Sequence, residues 1–167
     1  MPHPSLGMPP ADALAGLPDA AARLRANRER ICRVALQGAD RLEPGLAERY
    51  GDDMLRTFLR DYNRHLEQLA KALESGDDGF VVNYGEWLVP IYRRRRVSMR
   101  DFMALLGGLR DAAGGVLTPE ENRAAALLFE RWNDRLKHHG RLPGDHKGNP
   151  IIRFFWKGAG IGDDKWI

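Results

Sequence analysis

Residues Phe80–Leu109 read FVVNYGEWLVPIYRRRRVSMRDFMALLGGL, and the rhythm of this stretch decides the class of the whole chain. Phe80, Tyr84, Trp87, Leu88 and Ile91 recur at helical spacing, which predicts a helix with one aromatic face turned to a core. The run Arg93, Arg94, Arg95, Arg96 ends that pattern. Ser98, with Asp101 three residues on, carries the signature of a capping box. The helix it opens places Met99, Phe102, Leu105, Leu106 and Leu109 on one side. Two helices therefore meet at a basic corner. Pro90 removes one ladder bond from the first, so a kink or a loosened last turn is expected there.

The same rhythm extends in both directions. Upstream, Leu55, Phe58, Leu59, Tyr62, Leu66, Leu69 and Leu73 keep the three-and-four spacing through a long helix that starts at Gly51–Asp53 and stops at Gly76. Leu42–Tyr50, interrupted by Pro44 and Gly45, reads as a short helix or helical corner. Pro18 and Asp19 open a first helix whose stripe of Leu24, Ile31, Val34 and Ala35 is expected to run to Gly38. Downstream, Thr118, Pro119 and Glu121 start a last helix, with Leu127, Leu128, Trp132 and Leu136 inward and an end near Gly140. Residues 1–18 read as a flexible leader. Residues 140–167, rich in glycine and carrying Phe154, Phe155, Trp156 and Trp166, read as an irregular tail that packs on the bundle or on a partner subunit. The expected fold is all-α, a single bundle of about five to six helices over residues 19–139.

A chain of 167 residues buries about two thirds of its unfolded surface without needing a staple. Its single cysteine, Cys32, leaves no internal disulfide and fits a reducing compartment as a small apolar helix residue. The net charge of +3 is too small to announce a nucleic-acid binder. No apolar run is long enough to span a bilayer, and the N-terminus lacks the order of a secretion signal, so a cytoplasmic location is expected.

Enzyme templates do not fit. There is no phosphate loop, nucleophile elbow, zinc-type cysteine pair or di-iron spacing, and Gly158, Gly160 and Gly162 lack the strand and helix that a nucleotide site needs. His138, His139, Asp145 and His146 lie close in sequence. Adjacent histidines point apart on a helix, however, so helix-end solvation is the better reading and no metal site is expected. His65 falls on or beside the apolar face of the longest helix, where it is either a hydrogen-bonded core-edge histidine or the axial ligand of a haem or other tetrapyrrole. Tyr62, Tyr84, Trp87, Phe102 and Trp132 either pack as core or line a cavity with it. Arg93–Arg96 either solvate a helix end or grip an anionic partner. DNA reading is disfavoured because the next helix carries few base-reading side chains.

Taken in order, LRANRERICRVAL, then RYGDDMLRTFLRDYNRHLEQLAKALESGD, then YGEWLVPIYRRRRVSMRDFMALLGGLRDA resemble the helical N-terminal sensor domains of RsbR-type regulators, the co-antagonist proteins of the stressosome. The resemblance covers Leu24–Trp132. It implies a globin-like fold without haem, a homodimer, and a role in sensing a signal or docking a regulatory protein rather than in catalysis. Related sensor domains hold a fatty acid where haem would sit, so a small apolar ligand is also implied. The family's domain normally precedes an output domain. Here a short aromatic segment follows, so the phosphorylation-linked output is not carried over.

Overall fold

The computed structural model describes residues 16–138. Among these there are six helices and no strand: α1 (Pro18–Ala26), α2 (Arg28–Leu42), α3 (Leu46–Ser75), α4 (Gly79–Arg94), α5 (Met99–Gly114) and α6 (Pro119–His138). The described residues form an all-α bundle, as their periodicity requires. The greater part of the leader and the whole aromatic tail lie outside the described residues. So do the Gly158–Gly162 glycines and the side chains of His138, His139, Asp145 and His146.

Helix α3 is the hub, touching every other helix. Phe58, Tyr62, Leu66, Leu69 and Leu73 on it are almost fully buried, as the seven-position pattern required. The segment read as a separate corner joins this helix. Leu46–Tyr50 runs into α3 across a kink at Gly51, whose φ of 67° and ψ of 171° are not helical. At the far end Gly76, at φ 73°, takes the left-handed cap, and its N–H bonds to Ala72 O at 2.9 Å.

The first helix differs from expectation in two ways. It breaks at Asn27, and it passes through Gly38 to Leu42. Gly38 is no stop because it is a contact point: α2 and α5 share the most extensive helix pairing in the bundle, and a Cβ added to Gly38 would lie 3.3 Å from Gly108 Cα. Ala35 and Ala39 face Gly108 along this small-residue seam, which lets two backbones approach closely. Val34, expected in the stripe, is 38% exposed.

The two start signals read from sequence are both present. Ser98 Oγ accepts the Asp101 N–H at 3.1 Å. Thr118 and Glu121 form the reciprocal pair, with Thr118 N–H donating to Glu121 Oε2 at 2.8 Å and Glu121 N–H to Thr118 Oγ1 at 3.3 Å. Glu121 also accepts from Arg23 of α1 at 3.2 Å, which ties the first helix to the last. The carboxylate of Asp101 departs from the pattern. It turns to Arg49 at 2.6 Å and Tyr50 at 2.5 Å, pinning the corner ahead of Gly51 against the start of α5.

The basic corner is closed by backbone geometry. Arg96 adopts φ 60°, its N–H bonds to Arg93 O at 3.0 Å, and the N–H of buried Val97 reaches back to Tyr92 O at 3.0 Å. This is the left-handed helix stop that normally holds glycine. An L side chain there costs about 1–2 kcal/mol, of which glycine's extra chain entropy would return part. Arg96 is exposed. Arg96→Gly is therefore expected to stabilise the fold by roughly 0.5–1 kcal/mol, read as a rise of about 2–4 °C in Tm; a lowered Tm would mean that the guanidinium makes a contact worth more than the backbone strain.

Candidate functional site

The helix quoted first turns a different side inward than its aromatics suggest. Val81, Gly85, Leu88, Val89 and Tyr92 are its buried residues, whereas Trp87 is 53% and Phe80 36% exposed. Gly85 is the reason. A Cβ there would lie 2.8 Å from Trp132 Cδ1 and Nε1, so the bare glycine lets α4 seat directly on the buried indole of α6. With Gly85 inward, helical rotation carries Phe80 and Trp87 outward. Trp87 is thus neither core nor pocket lining. It stacks on Tyr84 at 5.7 Å between ring centroids and 25° between planes, with the rest of its surface open to water. Pro90 also lies on the exposed side, so its missing N–H leaves a carbonyl that water can reach, and the helix continues to Arg94.

The other aromatic candidates converge on His65. The imidazole is fully buried, with ring centroids of Tyr84 at 5.5 Å, Trp132 at 5.7 Å, Tyr62 at 6.1 Å and Tyr92 at 6.3 Å. Phe102 stacks on Tyr92 at 4.1 Å. Nδ1 of His65 lies 2.9 Å from Tyr84 Oη, and Nε2 lies 3.1 Å from Tyr92 Oη.

The direction of these bonds follows from the far end. Asp61, itself buried, receives Arg95 and also lies 3.2 Å from Tyr92 Oη. A carboxylate has no proton to give, so Tyr92 donates to Asp61. Having spent its only hydrogen, Tyr92 accepts from His65 Nε2–H, and Nδ1 accepts from Tyr84. The result is a one-way chain of donation, Tyr84 to His65 to Tyr92 to Asp61, ending on the Asp61 carboxylate, which also accepts from Arg95; that guanidinium lies over the Tyr92 ring at 5.7 Å. Burial first, and then the charges of Arg95 and Arg64, hold the His65 imidazole down to about 3, so it is neutral at ordinary pH. Burial raises the phenols of Tyr84 and Tyr92, which keep their protons.

An axial haem ligand needs one ring nitrogen free and a flat space beside it. His65 has neither, and a tetrapyrrole would have to displace Tyr84 or Tyr92 together with the rings stacked on them. The residues present do not fit that group.

The arginine run is divided by the fold. Arg95 turns inward to Asp61, Arg93 is half-buried, and Arg94 and Arg96 are exposed. The sequence therefore presents no set of four parallel cations. Asp61 and Tyr92 belong to the same hydrogen-bonded set, beyond the candidates that the sequence singles out. The signal for Asp61 was available, since it stands one turn before His65 on the apolar side of α3, where a carboxylate needs a partner.

No protein-family model, curated protein or solved structure matches this chain. What the site does must be argued from its geometry.

Beside the ridge of Phe80 and Tyr84 runs an open groove between α3 and α4, lined also by Gln68, Asp77, Gly79 and Asn83, with a volume of about 490 Å³. Asp77 is engaged there, accepting the Gly79 N–H at 2.8 Å. The groove and the exposed ridge are the parts of this face that another molecule can reach. Among the described residues no three histidine, cysteine or carboxylate side chains gather as metal ligands.

Proposed function

We propose that this chain is a non-catalytic helical sensor or scaffold domain that dimerises and works by binding a regulatory protein partner. The observation that carries the reading is Trp87: an indole 53% exposed and stacked on Tyr84 along one helix face, an arrangement suited to contact with another protein. The resemblance to RsbR-type sensor domains supports the same role, a globin-like arrangement of the helices and a place in stress signalling. Of the two ligand classes that resemblance left open, the partner protein is favoured over a fatty acid or other small apolar ligand. The rings around His65 pack on it at 5.5–6.3 Å between centroids and both its nitrogens are engaged, which disfavours an acyl chain there. The haem alternative is weaker for the same reason, and the arginine run, now divided, favours an acidic protein surface over nucleic acid. The outward faces of α1 and α6, locked to each other through Arg23 and Glu121, supply the dimer contact. No helix of the described residues is long and apolar enough to cross a membrane, and we place the protein in the cytoplasm.

Native mass spectrometry of the protein purified from its own host tests this reading. The expected spectrum shows twice the 18.8 kDa chain mass, with or without added protein mass and without tetrapyrrole. A strictly monomeric chain, or a dimer carrying a stoichiometric tetrapyrrole, would overturn it.

A further inference from the structure

Exposed arginines without a carboxylate partner among the described residues occur elsewhere in the bundle, Arg30, Arg33 and Arg123 among them; on this face such cations stand beside an exposed aromatic ridge. Arg25 and Arg28 meet Glu67, Arg49 meets Asp101, and Arg95 meets Asp61. Arg60, Arg64 and Arg94 are exposed, and none of them meets a carboxylate among the described residues. Arg60 and Arg64 stand one turn apart on α3. Arg64 stands one helical turn before Gln68, which lines the groove between α3 and α4. Arg94 follows Trp87 and Ile91 at intervals of four and three along α4, on the same outward stripe. One end of this face is thus aromatic and bordered by Asp77, and the other carries cations with nothing to neutralise them.

We propose that the α3/α4 face is the docking surface for an acidic amphipathic helix of a partner protein. Its apolar side chains cover Trp87 and Phe80, and its carboxylates meet Arg64 and Arg94. This rests on the partner-binding reading above and gives that partner a chemistry. A shallow channel between two helices is the shape into which a third helix lays one side. A second copy of the chain is a poorer occupant, because a two-fold contact that set one end of this face against the other would offer the arginines only Asp77, which already accepts the Gly79 N–H. Single-stranded nucleic acid fits less well too. Tyr84 already covers one face of the Trp87 ring, and Asp77 opposes phosphate at the other end.

The test uses the full chain and a synthetic helical peptide of about five turns, with leucine along one side and glutamate beside it. A peptide with lysine in place of glutamate, and an oligothymidylate, are titrated in parallel. Trp87 reports binding by a shift or quenching of tryptophan emission, assigned by its loss in Trp87→Phe. The glutamate peptide is expected to bind with micromolar affinity that weakens with salt. Arg64→Glu with Arg94→Glu, both solvent-exposed, should lower affinity at least about tenfold, and Trp87→Ala, read by titration calorimetry because the reporting indole is removed, should do the same. Any one of four results overturns the proposal: no saturable binding of the acidic peptide, equal binding of the lysine peptide, unchanged affinity in the charge-reversed variant, or preferential binding of the oligothymidylate. A dimer found by native mass spectrometry together with a failed peptide titration would refute this face while leaving the partner-binding reading in place.

Discussion

Gly108→Ala is expected to cost at least about 3 kcal/mol and to lower Tm on the order of 10 °C, the largest effect of any single methyl group in this bundle. The new Cβ would lie 2.2 Å from Ala35 O and 2.7 Å from Ala39 N. Both are main-chain atoms of α2, so no rotamer change relieves the clash and the two helices must move apart along their whole seam. Against a total stability of about 5–15 kcal/mol, that is a large share. The neighbouring glycine is the control. A Cβ on Gly107 would meet only Leu42 Cδ1, at 2.8 Å, the tip of a side chain that is 50% exposed and free to turn away. Gly107→Ala should therefore be neutral or stabilising by up to about 1 kcal/mol, since alanine is the better helix former. Thermal or urea unfolding of the two variants checks the pair. Similar losses for both would mean that α2 and α5 do not meet at Gly108.

Acidification should loosen the fold well before any carboxylate is involved. His65 takes up a proton at about 3 in the folded chain and near 6.5 when unfolded. Between those values the unfolded state binds the extra proton, so stability falls as pH falls from 6.5 towards 3 and is unaffected by this group above that window. At about 1.4 kcal/mol per pH unit, the chain should be roughly 2 kcal/mol less stable at pH 5 than at pH 7.5. Glu67 and Glu121 also titrate below their ordinary value of 4.5, and their contribution is lost only under more acidic conditions. Glu67 is held down chiefly by hydrogen bonding from Arg25. For Glu121, burial acts upward and is outweighed by Thr118 and Arg23. His65→Leu separates the two effects. It should cost about 2–3 kcal/mol at neutral pH by leaving the Tyr84 hydroxyl without its His65 acceptor and the Tyr92 hydroxyl with Asp61 alone, and it should flatten the profile between pH 6.5 and 5. A slope that survives the substitution would assign the pH dependence to another group.

Periodicity was enough to place the helices, because burying one stripe of a helix leaves its mark at every third and fourth residue. Ser98, Thr118 and Gly76 were equally readable, since capping is decided within a few residues of chain. What could not be read was rotation and interruption. The inward side of α4 is chosen by Gly85, which has no side chain to register in an apolar pattern, and by an indole some 47 positions away in sequence (132 − 85 = 47). Gly38 looked like a terminator for the same reason, its true neighbour being Gly108. Of the candidate site, Tyr62, His65, Tyr84, Phe102 and Trp132 do come together. Trp87 stands outside that group, and Asp61 and Tyr92 complete it. The arginine run could not be resolved from sequence, because whether a cation is solvated or paired depends on which carboxylate the fold brings beside it.

The attachment of the first described residues has a mechanical corollary. The Leu17 N–H donates to Leu73 O at 2.6 Å, so the strand of chain leading into α1 is fastened to the last turn of α3. Tension applied upstream, by a tether or a fused protein, would be delivered to that last turn before it could peel α1 away. From there it passes through Gly76 to the short turn that opens α4, the helix bearing Trp87. Tugging at one extremity of this molecule would thus be felt at its outward-facing indole.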